Sequence, residues 1–181
     1  MDQEQDQEQQ LLGWLPRLRR YARALVGDRD EADDLVQDTL ERAWARASLW
    51  RGVGDMRAWL FGIMHNLHAD ARRRPRLKLQ PLDPQFSEPA LPPSQGERLA
   101  VLDLQGALDL LPDEQRQVLL LVALEDMAYA EVALLLDIPI GTVMSRLSRG
   151  RERLRALLVQ RETPHAPAGS APHAPGLKRV K

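Results

Sequence analysis

The 181-residue chain contains no cysteine. That rules out a disulfide framework and thiolate metal ligation, and it fits a reducing compartment. No apolar run approaches the ~20 residues needed to span a bilayer, so no membrane insertion is expected. The first ten residues, MDQEQDQEQQ, are acidic and polar, the reverse of a secretory signal. A cytoplasmic location follows. The chain has no Gly-rich phosphate loop and no HExxH pattern. Its carboxylates fall at helix starts rather than as an isolated acid–base pair, so no enzyme chemistry is expected. Lysine is scarce too, at 3 residues against 22 arginines.

What is present is enough apolar material for real cores, 44% of residues, and an uneven distribution of charge. The formal net charge is only −1, yet residues 141–161 carry Arg146, Arg149, Arg151, Arg153, Arg155 and Arg161 against the single acid Glu152. Residues 28–41 run the other way, with Asp28, Asp30, Glu31, Asp33, Asp34, Asp38 and Glu41 against Arg29. One segment suits phosphate and another suits a basic partner.

Apolar spacing predicts helices throughout. Leu11, Leu15, Leu18, Ala22 and Leu25 form a 3.6-period stripe that Gly27 ends. An Asp at 28 or 30 caps a second helix, running to about Ala47, with Ala32, Leu35, Val36, Leu40, Ala43, Trp44 and Ala47 on its apolar face. Asp55 caps a third, striped by Met56, Leu60, Ile63, Met64 and Leu67 and closed by Pro75. Residues 75–96 hold six prolines and no stripe, and read as a flexible linker. Helix resumes near Glu97, with Leu99, Leu102, Leu108 and Leu111 leading to Pro112, which opens a helix over DEQRQVLLLVALE. From Thr163 the chain is Pro/Ala-rich with a basic end, the composition of a disordered tail. The expectation is an all-α protein of two small helical domains.

Residues 129–155, YAEVALLLDIPIGTVMSRLSRGRERLR, have the layout of a helix-turn-helix. Ala133, Asp137 and Val143 occupy the small-residue, turn and apolar-anchor positions. Val143, Leu147, Gly150, Leu154 and Leu157 make the inward stripe of the second helix. Ser145, Arg146, Arg149 and Arg153 lie largely on another face, where guanidinium forks can grip phosphate or guanine O6 and N7. Thr142 sits at the helix start, where free N–H groups suit a phosphate. The bland alternative is an amphipathic helix with a solvated basic face. His65 and His68 stand three apart with only Asp70 nearby, too few ligands to support a metal site.

The stretch DEQRQVLLLVALEDMAYAEVALLLDIPIGTVMSRLSRGRERLR resembles region 4 of bacterial sigma-70-type RNA polymerase sigma factors. DRDEADDLVQDTLERAW and DMRAWLFGIMHNLHADARRR resemble their region 2. With only these two regions, the chain is similar to the extracytoplasmic-function (ECF) group. The resemblance implies an acidic extension at 1–10, region 2 at 11–74, a linker at 75–96, region 4 at 97–161 and a tail at 162–181. It implies a transcription initiation factor without cofactors, whose partners are core RNA polymerase (the β′ clamp helices and the β flap), promoter DNA and an anti-sigma factor.

Carried onto this sequence, the resemblance puts β′ docking on Asp34, Leu35, Gln37, Asp38, Leu40 and Trp44. It puts reading of the −35 element on Tyr129, Thr142, Met144, Ser145, Arg146, Arg149 and Arg153. Opening and reading of the −10 element falls to the loop from Leu49 to Arg57, with Trp50, Arg51 and Arg57 foremost, and to Phe61, Asn66 and Arg72 to Arg74. Read from the residues alone, Trp44 and Trp59 belong more readily in the core, and Arg72, Arg73 and Arg74 could simply complement a helix C-terminus. Three positions depart from the group: Asp137 replaces a frequent turn Gly, Met144 a basic residue and Gly150 an Ala. Met144 in particular forbids borrowing a −35 consensus. Two rivals remain, a sigma-like mimic that sequesters an anti-sigma protein and a stand-alone helix-turn-helix regulator.

Overall fold

Seven helices account for all the secondary structure in the computed structural model, which describes residues 2–46, 55–73 and 95–162. The leucine stripe from Leu11 forms α1, but the helix starts earlier than that stripe and spans Asp2–Val26. The acidic segment therefore continues the helix, because Asp, Glu and Gln place no apolar surface at risk and lack helix-breaking residues. Gly27 ends α1 with φ +79, a backbone shape that glycine adopts without cost. Asp28 then caps α2 (Arg29–Ala45), its side chain accepting the Glu31 N–H at 2.9 Å. A third helix, α3, spans Met56–Arg73. Together α1, α2 and α3 bury Leu18, Tyr21, Leu25, Val36, Leu60, Phe61 and Met64.

The second half begins with α4 (Gln95–Asp109), followed by α5 (Asp113–Ala123), α6 (Tyr129–Leu136) and α7 (Ile140–Glu162). Pro112 precedes the first residue of α5, where its fixed φ suits a helix start. The LLLV run lies within α5, with Leu119, Leu120 and Leu121 buried. On α4 only part of the expected stripe is covered: Leu108 is buried, whereas Leu102 is exposed along with Val101 and Leu104.

The linker expected over residues 75–96 lies outside the described residues except for its last two, which already belong to α4, and the tail expected from Thr163 lies outside them too. Helices α1 and α3 pack against α4, α5 and α6, and one hydrophobic cluster runs from Leu11 through Met64 into Leu108, Val132 and Leu147. Each half is small, and sharing one cluster removes more apolar surface from water than either could alone. Ion pairs frame the seam. Glu125, fully buried, receives Arg17 Nε at 3.0 Å and Arg20 at 3.3 Å, and Arg17 also lies over the Trp14 ring at 4.9 Å. Tyr21 stacks edge-on against Phe61 with ring centroids 4.9 Å apart. Burial, reinforced by Asp113 and Glu125, pushes the Tyr21 phenol well above its ordinary pKa.

Candidate nucleic-acid interface

The helix-turn-helix is built as its spacing requires. Helix α6 starts after Ala128, which has no side-chain acceptor, so the Glu131 carboxylate takes the Ala128 N–H at 2.7 Å. The helix ends at Asp137 in the left-handed region, φ 51 and ψ 50. There the Ile138 N–H reaches back to the Ala133 carbonyl at 3.0 Å. Asp thus performs the turn without glycine, since its short polar side chain tolerates these angles.

Bonds from Thr142 N (2.8 Å) and Val143 N (3.2 Å) to the Pro139 carbonyl close the first turn of α7. Val143 and Leu147 anchor α7 in the core, and Gly150 is buried where α7 crosses α5. A Cβ at Gly150 would stand 3.3 Å from the Gln115 carbonyl oxygen, so this departure from the group lets two backbones approach.

That anchoring fixes what faces outward. Met144, Ser145, Arg149, Arg151 and Arg153 are exposed, and Thr142 and Tyr129 are half-buried. The Ser145 hydroxyl donates to the Thr142 carbonyl at 3.0 Å. Arg146 is held against the body by Glu114, at 2.8 Å. It therefore contributes less to the free basic face than the sequence pattern suggested, because a charge-assisted bond must first be given up.

The residues considered for −10 recognition fare differently. Trp50, Arg51, the rest of the loop from Leu49 to Gly54, and Arg74 lie outside the described residues. Phe61 is a correction: it is only 1% exposed and stacked on Tyr21, so it supports the core and cannot receive an extruded base. Asn66 is exposed and available.

The α3 arginines are engaged. Arg57 bonds to Asp55 at 3.1 Å, to both Glu131 oxygens at 3.3 Å, and to the Glu125 carbonyl at 3.0 Å. Arg72 reaches Asp113 at 2.8 Å, and Arg73 stands 3.7 Å from Asp70. Asp113 also takes His68 Nε2 at 3.0 Å, Arg116 at 3.2 Å and the Gln117 amide at 2.6 Å. Burial alone would raise this carboxyl, but the bond to His68, the charges of His68 and Arg72 and the bond from Arg116 outweigh it and hold Asp113 down to about 2. His68 is thus engaged by Asp113, and among the described residues no group of three or more His, Cys, Asp or Glu is arranged to hold a metal.

On α2 the structure sorts the docking candidates by face. Asp34, Gln37, Asp38 and Trp44 are exposed and follow one another at helical spacing, with Leu40 half-buried beside them. Trp44, at 55% exposed, corrects its reading as core, and Leu35, at 8%, corrects its place in the docking ridge, because it faces inward. Trp59 is half-buried.

A family profile described as the Sigma2 domain of PhyR matches residues 11–65, and one described as Sigma-70, region 4 matches residues 102–154. The ECF RNA polymerase sigma factor EcfG of Rhodopseudomonas palustris is 36% identical over 149 residues, 82% of each chain. The chain belongs to the ECF sigma factor family. Among solved structures, this sigma factor is similar to RpoE of Bartonella quintana in complex with the anti-sigma factor NepR. There the TM-score is 0.68 at 33% identity, covering 85% of this chain and 97% of that one. It is also similar to the PhyRSL–NepR complex from Sphingomonas sp. Fr1, with TM-score 0.61 at 26% identity, covering 92% and 96%. The all-helical fold and the order of the two regions agree with the sequence reading.

Residue pattern missed Asp113, Glu125 and Glu131 as partners of Arg17, Arg57 and Arg72. The only signal available was an acid, Glu125, directly after an apolar run.

Proposed function

We propose that this ECF sigma factor binds core RNA polymerase and directs promoter-specific initiation, with residues 11–74 acting as region 2 and 97–161 as region 4. The observation that carries the reading is the basic face of α7, where Arg149, Arg151 and Arg153 stand exposed beyond a helix-turn-helix whose turn is completed at Asp137. In this reading Arg149 and Arg153 grip the −35 duplex, with Thr142, Met144 and Ser145 at the groove end of the helix. Arg146 joins them once released from Glu114. Asn66, Arg57, Arg72 and Arg73 meet the −10 strand, where an amide reads a base edge and cations follow the backbone. The strip Asp34, Gln37, Asp38, Leu40 and Trp44 docks on a basic coiled coil of the polymerase, acids meeting cations around one exposed ring. The protein supplies specificity and leaves catalysis to the polymerase. It acts in the cytoplasm, and no helix among the described residues is long and apolar enough to cross a membrane. An anti-sigma protein regulates it, as carried over from the NepR complex of its structural relative.

The match of residues 11–65 to the PhyR profile favours a second reading, a sigma-like mimic that sequesters an anti-sigma protein. The exposed arginines of α7 weigh against it, since a mimic has no need of a DNA face. In vitro transcription with purified core polymerase and a genomic promoter library separates the two. Promoter-specific transcripts are expected, and their absence, with anti-sigma binding intact, would leave the mimic.

A further inference from the structure

The groove end of α7 offers fewer polar groups to DNA than its sequence promises. The Ser145 hydroxyl already donates to the Thr142 carbonyl at 3.0 Å, so towards a base it can only accept. Arg146 is held by Glu114 at 2.8 Å. Two of the side chains exposed there are instead apolar. Met144 is 49% exposed and Ile140, one turn earlier, is 46% exposed. Neither is needed by the core, which α7 meets through Val143, Leu147 and Gly150.

A single exposed apolar side chain on a protein surface is ordinary. These two are four residues apart and share one face of the helix. Ser148 and Arg149 follow on the next turn, both exposed, and Arg151 and Arg153 lie beyond. The apolar pair is thus set at the N-terminal end of a basic helix, the end that reaches base edges when a helix-turn-helix enters the major groove. Met144 also lines a shallow groove with Tyr129, Leu147 and Ser148, where its unbranched thioether can adapt to the surface it meets. In the major groove, thymine alone presents an apolar group, its 5-methyl.

We infer that Met144, with Ile140 beside it, is a specificity-determining residue that selects a thymine in the −35 element by contact with the 5-methyl group, a reading that rests on the proposed −35 role of α7. A basic residue, frequent at this position in the group, donates to phosphate or to guanine O6 and N7. A thioether donates nothing, so the departure exchanges a charged contact for an apolar one. The preferred site should therefore hold a thymine, on either strand, near the guanine met by Arg149.

The full chain assembled with purified core RNA polymerase provides the test. Duplexes randomised across the −35 window are selected for binding to the parent and to Arg149→Ala. Each thymine of the selected duplex is then replaced in turn by 2′-deoxyuridine, which removes the methyl group and leaves every hydrogen-bonding atom in place. Competition binding compares these duplexes on the parent, Met144→Ala and Met144→Lys, with circular dichroism checking that helicity is kept.

One replacement should weaken parent binding by roughly fourfold, the fold-change that about 0.8 kcal/mol per buried carbon group gives. Met144→Ala should bind the thymine duplex more weakly by a similar factor, and should no longer distinguish uracil from thymine at that position. Met144→Lys should also ignore the methyl, while its log–log salt dependence steepens by about 0.9 from one added phosphate contact.

Parent binding that no uracil replacement weakens overturns the inference. A methyl dependence of equal size in Met144→Ala overturns it as well, because another side chain then reads the group. In both cases an altered selection by Arg149→Ala leaves the −35 role of α7 standing. If no sequence is enriched, or Arg149→Ala selects as the parent does, the −35 role itself fails and takes the thymine contact with it.

Discussion

Helices α3 and α7 both carry arginines proposed to meet promoter DNA, yet the fold treats them in opposite ways. On α7, Arg149, Arg151 and Arg153 project into solvent from a helix anchored by Val143 and Leu147. On α3, Arg57 and Arg72 are claimed by carboxylates from the other half of the chain. An exposed guanidinium in water is ready for phosphate at little cost, whereas a paired one must first give up charge-assisted bonds. Counting arginines therefore measures potential for DNA binding, and what surrounds each one decides how much is available.

The comparison can be broken most severely at Phe61. Phe61→Ala should cost about 3–5 kcal/mol of stability, as expected for a buried aromatic, because it empties the space against Tyr21. Urea unfolding followed by circular dichroism measures it. A variant of parental stability that fails only in promoter opening would return Phe61 to the DNA-reading surface.

Single arginines come next. Arg149→Ala should weaken −35 duplex binding by about 1–3 kcal/mol if its fork reads a base, while stability stays within about 0.5 kcal/mol and core polymerase affinity is unchanged. Equal loss of core affinity would mean that region 4 is misassigned. Arg57→Ala should differ in kind, shifting stability and the packing of the halves before any effect on DNA is seen, since it forfeits the Glu131 pair and the bond to the Glu125 carbonyl. Differential scanning calorimetry of the two variants side by side shows whether the contrast holds.

A subtler test lies where α7 meets α5. Alanine normally gains about 1 kcal/mol over glycine inside a helix, but a Cβ at Gly150 would press on the Gln115 carbonyl oxygen at 3.3 Å. Gly150→Ala should therefore bring none of that gain, and a clear rise in melting temperature would show that the helices have room to separate.

The smallest effects follow pH. Asp113 is held at about 2, below its ordinary 3.8, so its contribution to stability is complete above pH ~4 and is lost as pH falls toward 2. His65 is depressed by burial and by the neighbouring His68, so the unfolded chain takes up its proton first. Stability should begin to fall as pH drops below the ordinary histidine value of 6.5, and His65→Gln should remove that part of the slope. A pH series of thermal melts that is flat from 7 to 5 in the parent would contradict it.

Much of this was legible beforehand because it is local. Helical periodicity, the Asp28 cap, the turn at Asp137 and the inward stripe of α7 depend on residues within a few positions of one another, where spacing is itself the physical constraint. Residues judged by type alone were less secure. Trp44 is exposed although its ring suggested core, Leu35 is buried although it sits among docking residues, and Arg146 is tied to Glu114. In each case the helix was legible but the face turned inward depended on what packed against it.

The sequence by itself determined an all-helical architecture of two regions, a helix-turn-helix whose second helix carries an arginine face, and membership of the ECF sigma factors. Only the tertiary structure decided that the halves share one core and that Asp113, Glu125 and Glu131 neutralise arginines far away in the chain. The reason is range. Helix formation and capping are settled by neighbours along the backbone, whereas an ion pair across a seam exists only after burial has fixed which faces meet and removed the water that would otherwise have satisfied each charge.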